Sequence, residues 1–358
     1  MQNEFNVNRR SAGQWMTRGN PFAYEAVKAW LGEAIHNTAN TSGMSTACEP
    51  YAGKLSLVRS LSDTYPKLVS HLTWDAYDIE PAEQPDVDGI IIQRRNTLTS
   101  LPKCYDIIVT NPPYLARNSA RRRGLDFPFD LVGTGIAKPA DLYQIALDTC
   151  LANVSYAAML IPESFLTSTY DKTRCSSVVS LPAGMFDDTD CPVCLALFTP
   201  HTTDDVRVYA NDGSLIGGLY EIKQRSNTLI GTNENEKTAT YNIVFNDPHG
   251  DVALFAVDGT SGATIRFDRG DAIKPSAVKQ SSRSLTRISR SDGVAISDDT
   301  IAMANDIIKK WREETNDVTM TAFKGVRRDG RYRRRISFAE ARSILVKAIE
   351  EGSFPSKH

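Results

Sequence analysis

The residues best suited to chemistry are Asp106-Ile-Ile-Val-Thr-Asn111-Pro112-Pro113-Tyr114. The apolar, β-branched run reads as a buried strand that ends in Asn-Pro-Pro-Tyr. Two consecutive prolines fix the backbone and remove two N–H donors, which leaves carbonyl oxygens of the stretch free to accept. An amide oxygen, one such carbonyl and an aromatic face then form a compact receptor for a planar exocyclic amine. Asn-Pro alone would be an ordinary strand-to-loop turn; the full quartet after Ile-Ile-Val is far rarer by chance.

Two further strand ends carry acids. Ala47-Cys-Glu49-Pro-Tyr51-Ala-Gly53-Lys-Leu55 follows one predicted strand, and Trp74-Asp-Ala-Tyr-Asp78-Ile79-Glu80-Pro81 ends the next. Glycine permits close backbone approach to a ligand, although Gly53 also suits a plain strand–helix turn. A carboxylate at the second strand end of a nucleotide-binding sheet can accept ribose hydroxyls, whereas a lone acid there is usually just solvated. Cys191-Pro-Val-Cys194 has metal-pair spacing without a second pair or neighbouring histidines. Within the apolar run to Phe198 it reads as two thiols of a buried strand, and no metal is expected.

These residues need a scaffold that gathers strand ends. Predicted strands are Met44–Cys48, Leu72–Tyr77, Gly89–Gln93, Tyr105–Thr110, Val154–Ile161, Val178–Leu181 and Pro192–Thr199. Helical stretches lie between them, including Asp141–Leu151, with Leu142, Ile145, Ala146 and Leu151 near one face. Upstream, Pro21–Ile35 reads as a helix capped by Asn20 with Pro21 at its first position. The alternation predicts an α/β sheet with helices on both faces. After Pro200 the texture becomes β-rich: Val206–Tyr209, Tyr241–Phe245, Val252–Val257 and Ala263–Phe267 read as strands. Gly213–Gly218 reads as a turn, Ser226–Thr240 as a polar separator and Ser276–Asp292 as loop. Ile301–Glu314 and Phe338–Glu350 read as helices, and the domain boundary is placed near 200.

A length of 358 residues suggests about two domains. The formal net charge of −2 conceals a segregation: residues 1–260 carry −9 and residues 261–358 carry +7. Such asymmetry points to a separate surface for a polyanion. Arg117 and Arg121-Arg122-Arg123 follow the Asn-Pro-Pro-Tyr directly. Lys324-Gly-Val-Arg327-Arg328-Asp-Gly-Arg331-Tyr332-Arg333-Arg334-Arg335 is the densest basic tract, with Arg283, Arg287 and Arg290 upstream. No apolar run approaches 18 residues and Met1–Arg10 has no apolar signal region, so the expected location is the cytoplasm.

The sequence resembles the S-adenosylmethionine-dependent amino-methyltransferases, whose hallmark is Asn/Asp-Pro-Pro-Tyr/Phe. The order of cofactor loop, Asn-Pro-Pro-Tyr and C-terminal recognition region resembles the gamma-type N6-adenine DNA methyltransferases of restriction–modification systems. The resemblance covers about residues 10–200. It implies a Rossmann-like methyltransferase sheet, mixed and of about seven strands, in a catalytic domain over 1–200. A smaller β-rich and α C-terminal domain over 201–358 would recognise DNA. Thr17, Glu49, Tyr51, Gly53, Asp78, Ile79, Asn96 and Asn111 fall where the family meets S-adenosylmethionine, with Thr17 at its carboxylate end and Glu80 a reserve for Asp78. Asn96 also suits a turn. Leu55 stands where a second glycine is common. Asn111, Pro112, Pro113 and Tyr114 would receive a flipped adenine, with Phe186, in Leu181-Pro-Ala-Gly-Met-Phe186, against its other side; Phe186 would otherwise be core. Asp141-Leu-Tyr143 would support the site. Arg117, Arg121, Arg122, Arg123, Arg283, Arg287, Lys324, Arg327, Arg328, Arg331, Arg333, Arg334 and Arg335 would meet double-stranded DNA, and a restriction endonuclease sharing the target site is the implied partner.

Three other readings use the same residues. An Asn-Pro-Pro-Tyr enzyme could act on RNA or on a protein glutamine. A nucleic-acid-binding protein could have lost its cofactor pocket, given Leu55. A fused nuclease would use Asp212 and Glu221-Ile-Lys223.

Overall fold

The computed structural model describes residues 16–125, 139–187, 189–232 and 241–352. The chain divides into two compact units, Met1–Leu215 and Ile216–His358.

The first unit runs α1 (Glu25–Thr38), β1 (Ser45–Glu49), α2 (Ser56–Thr64), α3 (Pro66–Val69), β2 (Leu72–Asp78), β3 (Ile92–Arg94), β4 (Tyr105–Thr110) and α4 (Arg117–Arg122). It continues with α5 (Leu142–Leu151), β5 (Val154–Pro162), β6 (Cys175–Ser180), β7 (Val193–Phe198) and β8 (Arg207–Tyr209), and β9 (Leu215–Gly218) spans the boundary. The strands form one sheet in the order β3-β2-β1-β4-β5-β7-β6-β8-β9. β1, β2, β3, β4 and β5 are parallel, while β7 runs antiparallel to both β5 and β6. That seven-strand order with one reversed strand is the Rossmann-like sheet of S-adenosylmethionine-dependent methyltransferases. β8 joins the sheet beside β6, through pairs such as Val178↔Val208, and with β9 beyond it the sheet has nine strands. The segment just past residue 200 therefore completes the first sheet, and the division between units falls beyond the expected point.

Burial on both faces explains why these strands are apolar throughout: every residue of β7 is buried, as are Ile107, Ile108 and Val109 of β4. The predicted cap of α1 is not formed. Tyr24 occupies the cap position, and Asn20 instead accepts the Phe22 N–H at 2.9 Å and donates to Thr64, closing an Asx turn ahead of the helix. Of the two thiols read as belonging to a buried strand, Cys194 is buried within β7, whereas Cys191 lies ahead of the strand and is only half-buried.

The second unit comprises α6 (Leu219–Ile230), β10 (Ile243–Phe245), β11 (Val252–Phe255), β12 (Arg266–Arg269), β13 (Leu285–Arg290), α7 (Asp298–Thr315), β14 (Thr321–Val326), β15 (Tyr332–Arg335) and α8 (Phe338–Gly352). Its antiparallel sheet has the order β10-β13-β11-β12, and β14 and β15 form a separate hairpin. Val252, Leu254 and Ile288 from the sheet share a core with Trp311, Ile308, Ile344 and Leu345 from α7 and α8. Three segments differ from expectation. Leu215–Gly218, in the stretch read as a turn, is strand β9 at the edge of the first sheet. Ser276–Asp292 contains β13, a central strand, because Thr286 and Ile288 turn inward while Arg287 and Ser289 are only partly covered. The start of Ser226–Thr240 is the end of α6, which buries Leu219, Ile222, Ser226 and Ile230 at helical spacing. Glu221 and Lys223 lie two apart on this helix, where side chains do not converge, and Asp212 closes a turn onto Ser214. Among the described residues no group of His, Cys, Asp and Glu is placed to hold a metal. No described helix is long and apolar enough to cross a membrane.

Candidate active site

In the first sheet the chain leaves β1 toward β2 and β3 on one side, and leaves β4 toward β5 on the other. Ligands of open α/β sheets bind outside the carboxyl ends of the strands at such a switch point. Glu49 ends β1, Asp78 ends β2, Asn96 follows β3 and Asn111 follows β4. The candidate residues therefore share one edge of the sheet, although 62 positions separate Glu49 from Asn111.

Glu49 is 1% exposed, and its Oε1 accepts the Thr110 hydroxyl at 2.5 Å, tying β1 to β4. Burial pushes its carboxyl well above the usual range, opposed by the Thr110 hydroxyl and by the N–H groups of Tyr51 and Asn111. Gly53 has φ +50°, and its N–H donates to Asp78 Oδ2 at 2.8 Å. The other oxygen of Asp78 accepts the Glu80 N–H at 2.8 Å. Asp78 thus holds the glycine loop against the end of β2. Beside it Ile79 is 48% exposed, an apolar side chain offered at the site edge. The Tyr51 hydroxyl donates to the Thr97 carbonyl at 3.4 Å. Asn96 accepts the Leu98 N–H at 3.1 Å, the turn role open to it from sequence.

Leu55 adopts φ +68°, ψ +23°, the left-handed conformation that favours glycine, and its side chain is fully buried beside Ala52, Val58 and Ala76. The loop therefore keeps a glycine-like path without the second glycine.

The amide of Asn111 is gripped from two sides. Nδ2 donates to Thr17 Oγ1 at 3.1 Å, and the Tyr114 hydroxyl hydrogen-bonds Oδ1 while lying 2.5 Å from the Leu160 carbonyl. Thr17 forms an isolated β-bridge with Phe186, and Arg18 N–H donates to Met185 O at 2.9 Å. This brings Phe186 against Tyr114 edge to face, with ring centroids 6.1 Å apart and planes at 73°. Pro112 is buried and Pro113 half-buried between these contacts. Three distant segments, 16–19, 111–114 and 185–186, thus meet at one point. Thr17 bonds to Asn111 here, a contact that spacing did not suggest. The Leu160 carbonyl had no sequence signal, being a backbone group from another strand.

Asp141 caps α5 and holds the loop that follows the quartet. Its Oδ1 accepts the N–H of Leu115 at 2.8 Å and of Tyr143 at 3.4 Å, and burial raises its carboxyl to about 6. Arg117 is turned inward, its Nε donating to Pro139 O at 3.1 Å. Arg121, Arg122 and Arg123, read from sequence as lying in a loop running to about Pro139, are exposed on the short helix α4 and its cap; residues 126–138 lie outside the described residues.

The basic residues of the second unit divide by burial. Asp258 is fully buried; its carboxylate accepts two bonds from Arg312 at 3.0 Å, one from Arg327 at 3.3 Å and the Arg334 N–H at 3.0 Å. Arg333 Nε donates to the Asp258 carbonyl at 2.6 Å, and Arg287 Nε to Gly250 O at 2.7 Å. Arg290 is paired with Asp292 and stacks on Tyr241. Arg334 and Arg335 are half-buried along β15, whereas Arg283, Lys324, Arg328 and Arg331 are exposed.

No family model and no curated protein matches the sequence. Among solved structures, the chain is similar to the type I restriction-modification methyltransferase subunit from Streptococcus thermophilus, at 16% identity and a TM-score of 0.38, over 58% of this chain and 50% of that one. It is also similar to the M protein of the type I restriction enzyme EcoKI, at 17% identity and 0.33, over 49% of this chain and 45% of that one. A third is the type IIG restriction endonuclease BpuSI, at 11% identity and 0.41, over 72% of this chain and 38% of that one. The chain spans about half the length of the two methyltransferase components. All three likenesses are distant; the fold is defined by its own strand order.

Proposed function

We propose that this chain methylates the N6 amine of an adenine extruded from double-stranded DNA, using S-adenosylmethionine. The observation that carries this reading is the Asn111 amide beside the edge-to-face Tyr114–Phe186 pair at the carboxyl end of β4.

The adenine amine is a poor nucleophile because its lone pair is delocalised into the ring. With Asn111 Oδ1 and the Pro112 carbonyl accepting its two N–H bonds, the lone pair is freed to point out of the ring plane. Tyr114 and Phe186 would hold the ring by stacking, worth about 1–3 kcal/mol per base. S-adenosylmethionine, when bound, supplies an electrophilic methyl group, and the chain's own contribution is positioning and dipoles facing developing positive charge. The amine proton leaves from a strongly acidic ammonium, so the chain needs no general base. The target atom is inaccessible in a duplex, which is why the base must be rotated out.

The residues present suit the cofactor. The Asp78 carboxylate at the end of β2 is of the type that receives ribose hydroxyls, the exposed Ile79 suits an adenine face, and the left-handed Gly53 loop lets backbone come close. Glu49, Tyr51 and Asn96 line the same edge, Thr17 reaches it through Asn111, and Asn111 belongs to both subsites. Phosphate contact falls to Arg121, Arg122, Arg123, Arg283, Lys324, Arg328 and Arg331, which are exposed. Arg117, Arg287, Arg327, Arg333, Arg334 and Arg335 serve the fold that presents them. A restriction endonuclease with the same target would be the partner.

The test is methylation-aware sequencing of DNA from an expression host that lacks adenine methylation. The wild-type chain should leave N6-methyladenine at a defined site, and Asn111→Ala should erase it. A mark that survives in the variant would remove Asn111 from the reaction.

A further inference from the structure

The charge of the Lys324–Arg335 tract is organised by the hairpin that carries it. β14 and β15 pair through Thr321↔Arg335, Ala322↔Arg334 and Phe323↔Arg333, and the register shifts before Val326↔Tyr332. The bulge falls at Lys324-Gly325, where Gly325 has φ +99°. Of seven basic residues in the tract, Arg327 is buried and its guanidinium is held by two carboxylates. NH1 donates to Asp258 at 3.3 Å, Nε to Asp329 at 3.1 Å, and NH2 pairs with the same Asp329. The turn is closed by Arg327 N–H to Arg331 O at 2.8 Å and Gly330 N–H to Arg327 O at 3.0 Å, and Arg331 N–H reaches Asp329 Oδ1 at 3.2 Å. Arg328 N–H is fixed on Thr260 O at 2.7 Å. At the base of the hairpin, Arg333 lies over Phe323 at 5.0 Å while its Nε bonds Asp258 O.

Arg327 and Arg333 are therefore fastened to the fold, while the side chains of Arg328 and Arg331, on a turn whose backbone is fixed on several sides, and of Lys324, at the bulge of β14, are exposed. Asp329, the acid among them, faces Arg327 and is held by it down at about 2. A fixed backbone bearing three exposed cations suits a polyanion, because little ordering remains to be done on contact. A two-stranded ribbon is also an element that the major groove of B-form DNA admits.

We propose that the tip of this hairpin, from the Lys324 bulge through the Arg327–Arg331 turn, is a preformed duplex-contact element, in which Lys324, Arg328 and Arg331 meet DNA phosphates and Arg327 is the internal strut. This rests on the reading of the chain as a DNA-modifying enzyme and adds which element grips and which arginines do not.

The test is fluorescence anisotropy of the full chain on a labelled duplex across a salt series. Each of Lys324→Ala, Arg328→Ala and Arg331→Ala should weaken binding and lower the slope of log K against log salt by about 0.9, the value for one phosphate lost. Lys310→Ala, an exposed cation on α7, removes the same charge and should leave the slope unchanged. Melting temperatures at the wild-type value establish that the turn variants are folded. Turn variants that bind with wild-type slope and affinity overturn the inference while the enzymatic reading stands. Weakening confined to one DNA sequence with an unchanged slope also overturns it, since the contact would then be to a base. A wild-type chain that binds no duplex at any salt overturns the reading beneath both.

Discussion

One oxygen of Asp141 accepts both the first free N–H of α5 and, at 2.8 Å, the N–H of Leu115, one residue past Tyr114. The cap of a helix is thus also the anchor of the loop that carries the proposed amine receptor. Burial raises this carboxyl to about 6, so the folded state binds a proton more tightly than the unfolded chain does. Its contribution to stability is complete below the unfolded value near 4 and is lost as pH rises through 6. Asp141→Asn keeps the accepting oxygen and removes the charge. The variant should match the wild type near pH 4 and exceed it at pH 8 by on the order of 1–3 kcal/mol. Denaturant melts at the two pH values check this, and a variant less stable at pH 8 would refute it.

Tyr114 separates ring from hydroxyl. Tyr114→Phe loses the bonds to Asn111 and Leu160 but keeps the ring beside Phe186, and should cost about 1 kcal/mol of stability with methylation reduced less than tenfold. Tyr114→Ala also removes the stacking face and should lower kcat/KM by at least a hundredfold. Steady-state kinetics on a duplex substrate distinguish the two. An inactive Phe variant would mean that the hydroxyl, and not the ring, is needed.

Leu55 sets backbone strain against packing. Its left-handed conformation costs an L-residue about 1–2 kcal/mol, which glycine would recover, while removing a fully buried leucine side chain costs about 2–5 kcal/mol. Leu55→Gly should therefore be less stable by about 1–3 kcal/mol, with S-adenosylmethionine affinity within threefold of wild type because the loop path is unchanged. Chemical denaturation and isothermal titration test both halves. A stabilised variant would show that strain dominates.

Asp258 joins Arg312, Arg327 and the backbone of β15 at a fully buried point. Asp258→Ala leaves two guanidinium groups without their shared carboxylate and should destabilise the second unit by about 3–5 kcal/mol. Differential scanning calorimetry should show one transition moving down while the other, from the first unit, stays. A shift of the whole profile would mean that the two units unfold together.

What the sequence discloses follows from how each element is buried. β4, β5 and β7 are covered on both faces, so their strands read as unbroken apolar runs. β13 is central too, yet its inward positions are Thr286 and Ile288, and Arg and Ser between them read as loop. α6 was masked by the polar face that alternates with its four buried residues. At the site, the quartet itself and the acids at the ends of β1 and β2 were legible because they are local strings. Their pairings were not: Thr17, named from sequence for another contact, bonds Asn111, and Thr110 and Leu160 meet Glu49 and Tyr114 only through tertiary pairing. Charge counting likewise located the basic tract but could not separate Arg327 and Arg333, which serve Asp258, from the exposed Lys324, Arg328 and Arg331.

Both sheets share an ordering with a consequence for synthesis. β7 lies between β5 and β6, and β13 lies between β10 and β11, so in each case a later strand fills a slot between two earlier ones. While the ribosome has produced β5 and β6 but not β7, each has an unsatisfied edge toward the missing strand, and the same holds for β10 and β11 before β13. Neither sheet can zip up in the order in which it is made. Nascent chains halted just before Val193 or Leu285 carry bare strand edges, open to pairing with other chains until the middle strand arrives.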